Sequence, residues 1–290
     1  LRELHVEIGF GLGDFLVKQA TASPDKNFVG IETAWIPVRT ALRKITLAGV
    51  NNVRIVRADA RVAIERLFRQ KSLHRVYALF PCPWPKRKHA KHRLFSRAFF
   101  ELVNNRLAEG GEAFIITDHQ PYFDWVVSQS RGTGFEVYGG RVSPCYETKY
   151  ERKWRNLGHQ KFFQLRLIKS RHRDIPLKEE IDLKTVRLTR FDPECFRPTG
   201  SKGDIVVEFK DHLYDSKQGR AMVRSWVREE HLIQEFWVEI LRREAGWIIR
   251  PAKGCSLIPT TGVQRALDLL QGSIEAQGRG GSRVHPTVSP

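Results

Sequence analysis

The chain is poor in cysteine. Among 290 residues there are four, Cys82, Cys145, Cys195 and Cys255, scattered and with no Cys-x-x-Cys pair. That spacing excludes a disulfide framework and a zinc knuckle, predicts no metal site and fits a reducing compartment. Acid is also scarce, with 32 Asp and Glu against 49 Lys and Arg, a formal net charge of +17 and a pI near 10.0. Such an excess makes a polyanion the leading partner. No apolar run approaches membrane-spanning length, no signal peptide is visible and no repeat recurs, so a cytoplasmic protein without membrane contact is expected. The sequence opens at Leu1, directly in a first strand and without Met, so a native segment is expected to precede it. The length suits one large domain or two modest ones. Oligomeric state cannot be read.

What is present centres on Phe80-Pro81-Cys82-Pro83-Trp84-Pro85. The apolar run from Val76 ends there in alternating prolines, which cannot continue a strand ladder and leave a stiff extended loop. Lys86, Arg87, Lys88, Lys91 and Arg93 follow, with His89 and His92 among them. A rigid aromatic turn beside dense positive charge points to nucleic acid. A solvated basic loop is the plainer alternative.

Strands alternate with helices along the first half. Strands are expected at Leu4–Ile8, Asn27–Ile31, Val53–Val56, Val76–Phe80 and Glu112–Ile116. Helices are expected after Gly13, over Pro37–Leu47, Val62–Phe68 and Ser96–Leu107. This order predicts an α/β fold with right-handed crossovers and a mostly parallel sheet. Ligands in such sheets sit beyond the carboxyl ends of the strands, where Gly9 to Gly13, Glu32, Asp59, Cys82 and Asp118 all fall. Gly9-Phe10-Gly11-Leu12-Gly13 has G-x-G-x-G spacing with Glu7 just before it. A carboxylate there disfavours pyrophosphate and suits a cationic sulfonium cofactor carrying an amino group. Glu32, closing the second strand, is placed to accept hydrogen bonds from ribose hydroxyls. Phe135–Tyr138 and Phe162–Ile168 read as an antiparallel pair at the sheet edge. The charged, aromatic connection Glu147–Trp154 between them reads as a lid.

From Leu4 to about Lys169 the chain resembles the bacterial tRNA (guanine-N7)-methyltransferases. The resemblance rests on His5 to Gly13, Phe28-Val29-Gly30-Ile31-Glu32, Phe80 to Lys86 with the basic run to Arg93, Thr117-Asp118 with Pro121, Tyr122 and Trp125, and Thr148-Lys149-Tyr150-Glu151. It implies a class I, Rossmann-like methyltransferase that uses S-adenosylmethionine and makes 7-methylguanosine in the variable loop of tRNA. By this resemblance Glu7 would line the methionine end of the cofactor, Glu32 its ribose and Asp59 its adenine, on the Gly9, Gly11 and Gly13 loop. Lys86, Asp118 and Thr148 to Glu151 would meet the RNA and its guanine, with Arg87, Lys88, His89, Lys91 and Arg93 on the same RNA surface. One position departs: the family carries a catalytic aspartate where this chain has Cys82. That leaves open reduced activity, a substitute carboxylate such as Asp118, or a non-catalytic RNA-binding relative as the alternative.

The domain expectation is a methyltransferase domain at 1–170, a polar linker at 171–204, a small α+β domain at 205–271 and a disordered tail at 272–290. In the third of these, strands are expected near Ile205–Phe209, Ala221–Val227, Leu232–Leu241 and Trp247–Ile249, with a helix over Thr261–Leu270. Trp226, Phe236, Trp237 and Trp247 are expected in its core.

Overall fold

The computed structural model describes residues 2–158, 161–176, 178 and 180–280; the side chains of 87 and 277–280 lie outside that description. Two compact units divide at Lys178. The first is built on a seven-stranded sheet of β1 (Leu4–Ile8), β2 (Asn27–Glu32), β3 (Val53–Arg57), β4 (Leu73–Leu79), β5 (Leu107–Thr117), β6 (Phe135–Val142) and β7 (Phe162–Lys169). Its order is β3-β2-β1-β4-β5-β7-β6, and only β7 runs antiparallel to its neighbours. The crossover helices are α1 (Asp14–Ala22), α2 (Trp35–Ala48), α3 (Ala60–Leu67), α4 (Arg97–Arg106) and α5 (Gln120–Ser130), with α6 (Lys149–Asn156) between β6 and β7.

The central strands are apolar on both faces because helices cover both. Val6, Ile8, Ile31, Val76 and Ala78 are buried together with Ala63 and Ile64 of α3 and Phe100 and Val103 of α4. Burying each of the larger side chains contributes about 1.5–3 kcal/mol. The first helix buries Phe15, Leu16 and Ala20, the face its spacing predicts. Two glycines let it pack: a Cβ on Gly13 would lie 2.8 Å from Cβ of Ala41, and one on Gly30 would lie 2.6 Å from Leu16. Side chains there would push α1 off α2 and the sheet.

Three local readings change. The fifth strand begins at Leu107 and runs through Gly110 and Gly111 rather than starting at Glu112, and its pairing with β4 absorbs the extra residues as an irregularity. Helix α5 has no counterpart among the expected elements, because Pro121 after Asp118 reads as loop; here Pro121 sits in the first turn, where its missing N–H costs nothing. The Glu147–Trp154 connection is largely helical.

The second unit is an antiparallel sheet in the order β8-β12-β11-β10-β9, from β8 (Val186–Leu188), β9 (Ile205–Asp215), β10 (Arg220–Glu229), β11 (Leu232–Arg243) and β12 (Gly246–Pro251). One face is covered by α7 (Thr261–Gly280), whose Val263, Ala266, Leu267, Leu270 and Ile274 recur at helical spacing against Val223, Val227, Val238 and Ile240. The expected linker is not a free connection. Backbone at Arg171 and Arg173 is held by the buried Asn104 and Asn105 of α4, at 2.8–3.0 Å. Val186, Leu188 and Phe196 belong to the second core. The expected tail is helical from Gly272 to Gly280, because Ile274 continues the apolar stripe; 281–290 lie outside the described residues. Phe236 is core and Trp247 packs at its margin. Trp226 and Trp237 are half-buried and alternate with the buried positions, so they face away from α7.

Candidate active site

The site forms where β1, β2, β4 and β5 end. Gly9, Gly11 and Gly13 all have left-handed backbone, at φ of 67°, 55° and 76°, which a side chain would strain. The loop they form is tied to β2 by Glu32. One oxygen of Glu32 accepts from the Gly11 N–H at 3.2 Å, and the other accepts from Thr33 N at 2.8 Å and Ala34 N at 3.2 Å. Asp59 caps α3, accepting from Arg61 N at 2.8 Å and pairing with the Arg61 guanidinium at 3.0 Å.

A cavity of about 130 Å³ opens between this loop and the start of α6, lined by Glu7, Gly9, Gly11, Asp14, Thr148 and Tyr150 among others. Glu7 is 3 % exposed, and its Oε2 has no hydrogen-bond partner. Burial pushes its carboxyl well above the usual range; Asp14 and then Glu32 add to this, against one backbone hydrogen bond from Leu16. Lys44 and Arg152 both pair with Asp14, and Lys149 lines the cavity without making a hydrogen bond to Glu7. A buried, unpartnered carboxyl in a cavity asks for a cation from outside the protein. The methionine ammonium and sulfonium of S-adenosylmethionine fit that demand, and the glycine loop allows a ligand close approach.

Thr148 and Glu151 organise the start of α6. Thr148 Oγ1 accepts from Glu151 N at 3.1 Å. The Glu151 carboxylate turns back, accepting from Cys145 N at 2.5 Å, Tyr146 N at 3.2 Å and Glu147 N. Glu151 is 1 % exposed. It closes the 145–148 turn that brings Thr148, Lys149 and Tyr150 to the cavity. The Thr-x-x-Glu spacing carries that signal in the sequence. Asp14 is a site residue absent from the sequence expectations; nothing in its local pattern announces pairing with Lys44 and Arg152. Glu147, paired with Lys18 at 2.9 Å, is held below the ordinary carboxylate range by that partner.

Beyond the cavity, β4 stops at Leu79. Phe80 and Trp84 both adopt left-handed backbone, at φ of 57° and 43°, conformations non-glycine residues hold only when surroundings enforce them. One enforcing contact comes from Arg93. Its guanidinium donates to the carbonyls of Pro83 at 3.0 Å and Trp84 at 3.3 Å and lies 4.9 Å from the Trp125 ring centre. Arg93 thus braces the loop. A 3-10 turn over Arg87–His92 presents exposed Lys88 and Lys91, with Lys86 exposed just before it. None of these lysines joins an ion pair among the described residues. His89 and His92 pack beside Trp84, with ring centres at 5.8 and 5.2 Å. Cys82 is exposed with a free thiol, and Asp118 at the end of β5 is half-buried without a hydrogen-bond partner among the described residues.

A parallel sheet in this strand order, with a glycine loop after β1 and an acid at the end of β2, defines a class I, S-adenosylmethionine-dependent methyltransferase. The family described as putative methyltransferase matches residues 2–164. The tRNA (guanine-N(7)-)-methyltransferase of Chlorobium phaeobacteroides is 41 % identical over 58 % of this chain and 83 % of its own length. Proteins of the same name from Aquifex aeolicus and Deinococcus radiodurans are 30 % and 32 % identical over 91 % and 94 % of this chain, and 91 % and 89 % of theirs. The chain belongs to the tRNA (guanine-N7)-methyltransferase family. The latter two alignments are too long to end near Lys169, so the likeness extends into the second unit, beyond the span of the resemblance read from motifs. Among the described residues no helix is long and apolar enough to cross a membrane, and no three His, Cys, Asp or Glu cluster as metal ligands would.

Proposed function

We propose that this chain methylates guanine N7 in tRNA, at the variable loop and in the cytoplasm. The observation that carries the reading is the unpartnered Oε2 of Glu7 inside the cavity, beside the loop that presents Lys86, Lys88 and Lys91. When bound, the cofactor supplies a methyl group on a positively charged sulfur. Glu7 would hold its ammonium, Glu32 would offer its remaining lone pairs to the ribose hydroxyls, and Asp59 would border the adenine. Guanine N7 carries an in-plane lone pair and needs no base to expose it, so the protein has only to bind, orient and exclude water. Asp118 has free acceptor capacity for the N–H edge of guanine, a role a thiol at Cys82 serves poorly. The exposed lysines would neutralise phosphates.

Cys82 favours a second reading, a relative that binds cofactor and RNA without transferring methyl. Mass spectrometry of nucleosides from unmodified tRNA incubated with the protein and S-adenosylmethionine decides between them. Formation of 7-methylguanosine is expected; its absence despite binding of both ligands would leave the second reading standing.

A further inference from the structure

The lid, Glu147–Trp154, meets α1 through a crossed pattern of charge. Asp14 and Lys18 stand one turn apart on α1 and share a face. Opposite them the lid presents Glu147 and Arg152, with the signs reversed. Lys18 Nζ lies 2.9 Å from Glu147 Oε2, and Arg152 Nη2 lies 3.2 Å from Asp14 Oδ2. Arg152 also donates to the Glu147 carbonyl at 2.6 Å, which ties the two lid residues to each other. The second oxygen of Asp14 pairs with Lys44 of α2. A ring contact adds to these ties, with Phe15 of α1 and Tyr146 centred 5.6 Å apart. A lid shifted along α1 by one turn would set Asp14 toward Glu147 and Lys18 toward Arg152, where like charges repel. The crossed signs therefore favour one seating.

We propose that the Lys18–Glu147 and Asp14–Arg152 pairs are a latch that seats the lid against the cofactor cavity and sets how fast the cofactor product leaves. The latch acts on the cofactor and does not depend on the guanine-N7 reading. Thr148, Lys149 and Tyr150 wall the cavity on one side, whereas Lys18, Glu147 and Arg152 lie outside its lining. At about 130 Å³ the cavity is well below the roughly 300–1,000 Å³ of a pocket that encloses a whole ligand, and it suits the amino-acid end of the cofactor. Lifting the lid from α1 widens the way out for that end. The strength of the pairs suits a latch rather than a permanent clasp. Lys18, Glu147 and Arg152 are all exposed, so water and salt compete for their partners. A pair of this kind shifts an equilibrium by up to about fivefold, enough to bias the lid shut without trapping the product.

The test reverses one pair. Lys18→Glu and Glu147→Lys, made singly and together, are compared with wild type by the rate at which unlabelled S-adenosylhomocysteine chases off the labelled compound. Each single variant sets like charges together and should raise that rate about fivefold, whereas the double variant restores an opposite pair and should return to within about twofold of wild type. Hydrogen exchange over 149–157 in the ligand-free protein should follow the same order. Raising the salt concentration should speed release from wild type and from the double variant, and should not speed it from either single variant, where salt screens a repulsion. Recovery in the double variant is a result that a merely structural role for either residue would not produce. Unchanged rates in both single variants overturn the latch, as does a double variant as fast as the singles. If wild type binds no S-adenosylhomocysteine, the cavity is not the cofactor site and the latch falls with that assignment. No RNA enters these measurements, so a negative result on the lid leaves the guanine-N7 reading standing.

Discussion

The two units of this chain differ sharply in charge. Residues 1–178 hold 32 Lys and Arg against 16 Asp and Glu, whereas residues 179–290 hold 17 against 16. Nearly all of the net charge of +17 therefore lies in the unit that carries the cavity and the proline loop. The arginines on the second sheet are largely neutralised in place. Arg220 and Arg250 both pair with the buried Glu239, at 3.0 and 2.8 Å, and Arg224 pairs with Asp211 and Glu235. In the first unit Lys86, Lys88 and Lys91 join no ion pair among the described residues. Arginine count alone thus says little about polyanion binding; what matters is how much positive charge the fold leaves unpaired.

The sharpest way to break the comparison is to remove what organises the first unit's site without touching its surface charge. Glu151→Ala leaves the amides of Cys145, Tyr146 and Glu147 without their acceptor, each at a cost of about 1–3 kcal/mol where water cannot replace it. We expect methyl transfer to be lost, hydrogen exchange to rise in 145–157, and the second unit to keep its protection. Retained activity would show that the lid turn holds without its carboxylate.

Next in size is Glu7→Gln, which separates stability from binding. The Glu7 carboxyl is raised in the folded chain, so the free protein loses stability as pH rises from the ordinary carboxylate range toward that raised value. Glutamine removes this penalty, and at neutral pH the ligand-free variant should melt a few degrees higher. A cationic ligand favours the ionised form, so wild-type affinity for S-adenosylhomocysteine should increase with pH until Glu7 is fully ionised in the free protein. The variant should bind about tenfold or more weakly, as expected for loss of a charged hydrogen bond, with a flatter pH profile. Calorimetry across pH checks both, and a lower melting temperature in the variant would refute the assignment.

How much of this is legible in the sequence depends on the kind of signal. The strands of the first half, the glycine loop and Glu32 can be read because period, turn residues and strand ends are local properties. The second core can be placed from its alternation, but the face occupied by Trp226 and Trp237 cannot, since alternation gives two faces without saying which one a helix will cover. The bracing role of Arg93 is hidden, because composition cannot show that Pro83 and Trp84 turn their carbonyls toward it. Glu151 is visible as a motif residue, while its inward turn is a property of the 145–148 backbone. The length of α7 is hidden because Gly272 and Gly278 read as breakers, whereas packing of Ile274 outweighs the roughly 1 kcal/mol cost of a helical glycine.

The charge difference itself is tested by salt. Replacing Lys88 and Lys91 with Ala should flatten the slope of log affinity for tRNA against log salt by about 1.4 to 1.8, from two released counterions. Replacing Lys202 and Arg228 of the second unit should leave the slope unchanged. The opposite result would move the RNA to the second unit despite its near-neutral balance.

The smallest expected effect is at Cys82, and it sharpens the comparison inside the site. The thiol is exposed at the tip of a loop that Arg93 holds rigid, so substitution there should not disturb the fold. Cys82→Asp would add a carboxylate able to accept from the N–H edge of guanine, beside whatever Asp118 already supplies. If Asp118 holds the base only in part, turnover should rise by a few fold, about 1 kcal/mol in barrier, with no change in S-adenosylhomocysteine affinity. Asp118→Asn should then cost more in wild type than in Cys82→Asp, because the added carboxylate covers for the lost one. The coupling in that double-mutant cycle is the decisive number. Strict additivity would mean that the two positions do not share the guanine, and that Cys82 marks a surface the reaction does not use.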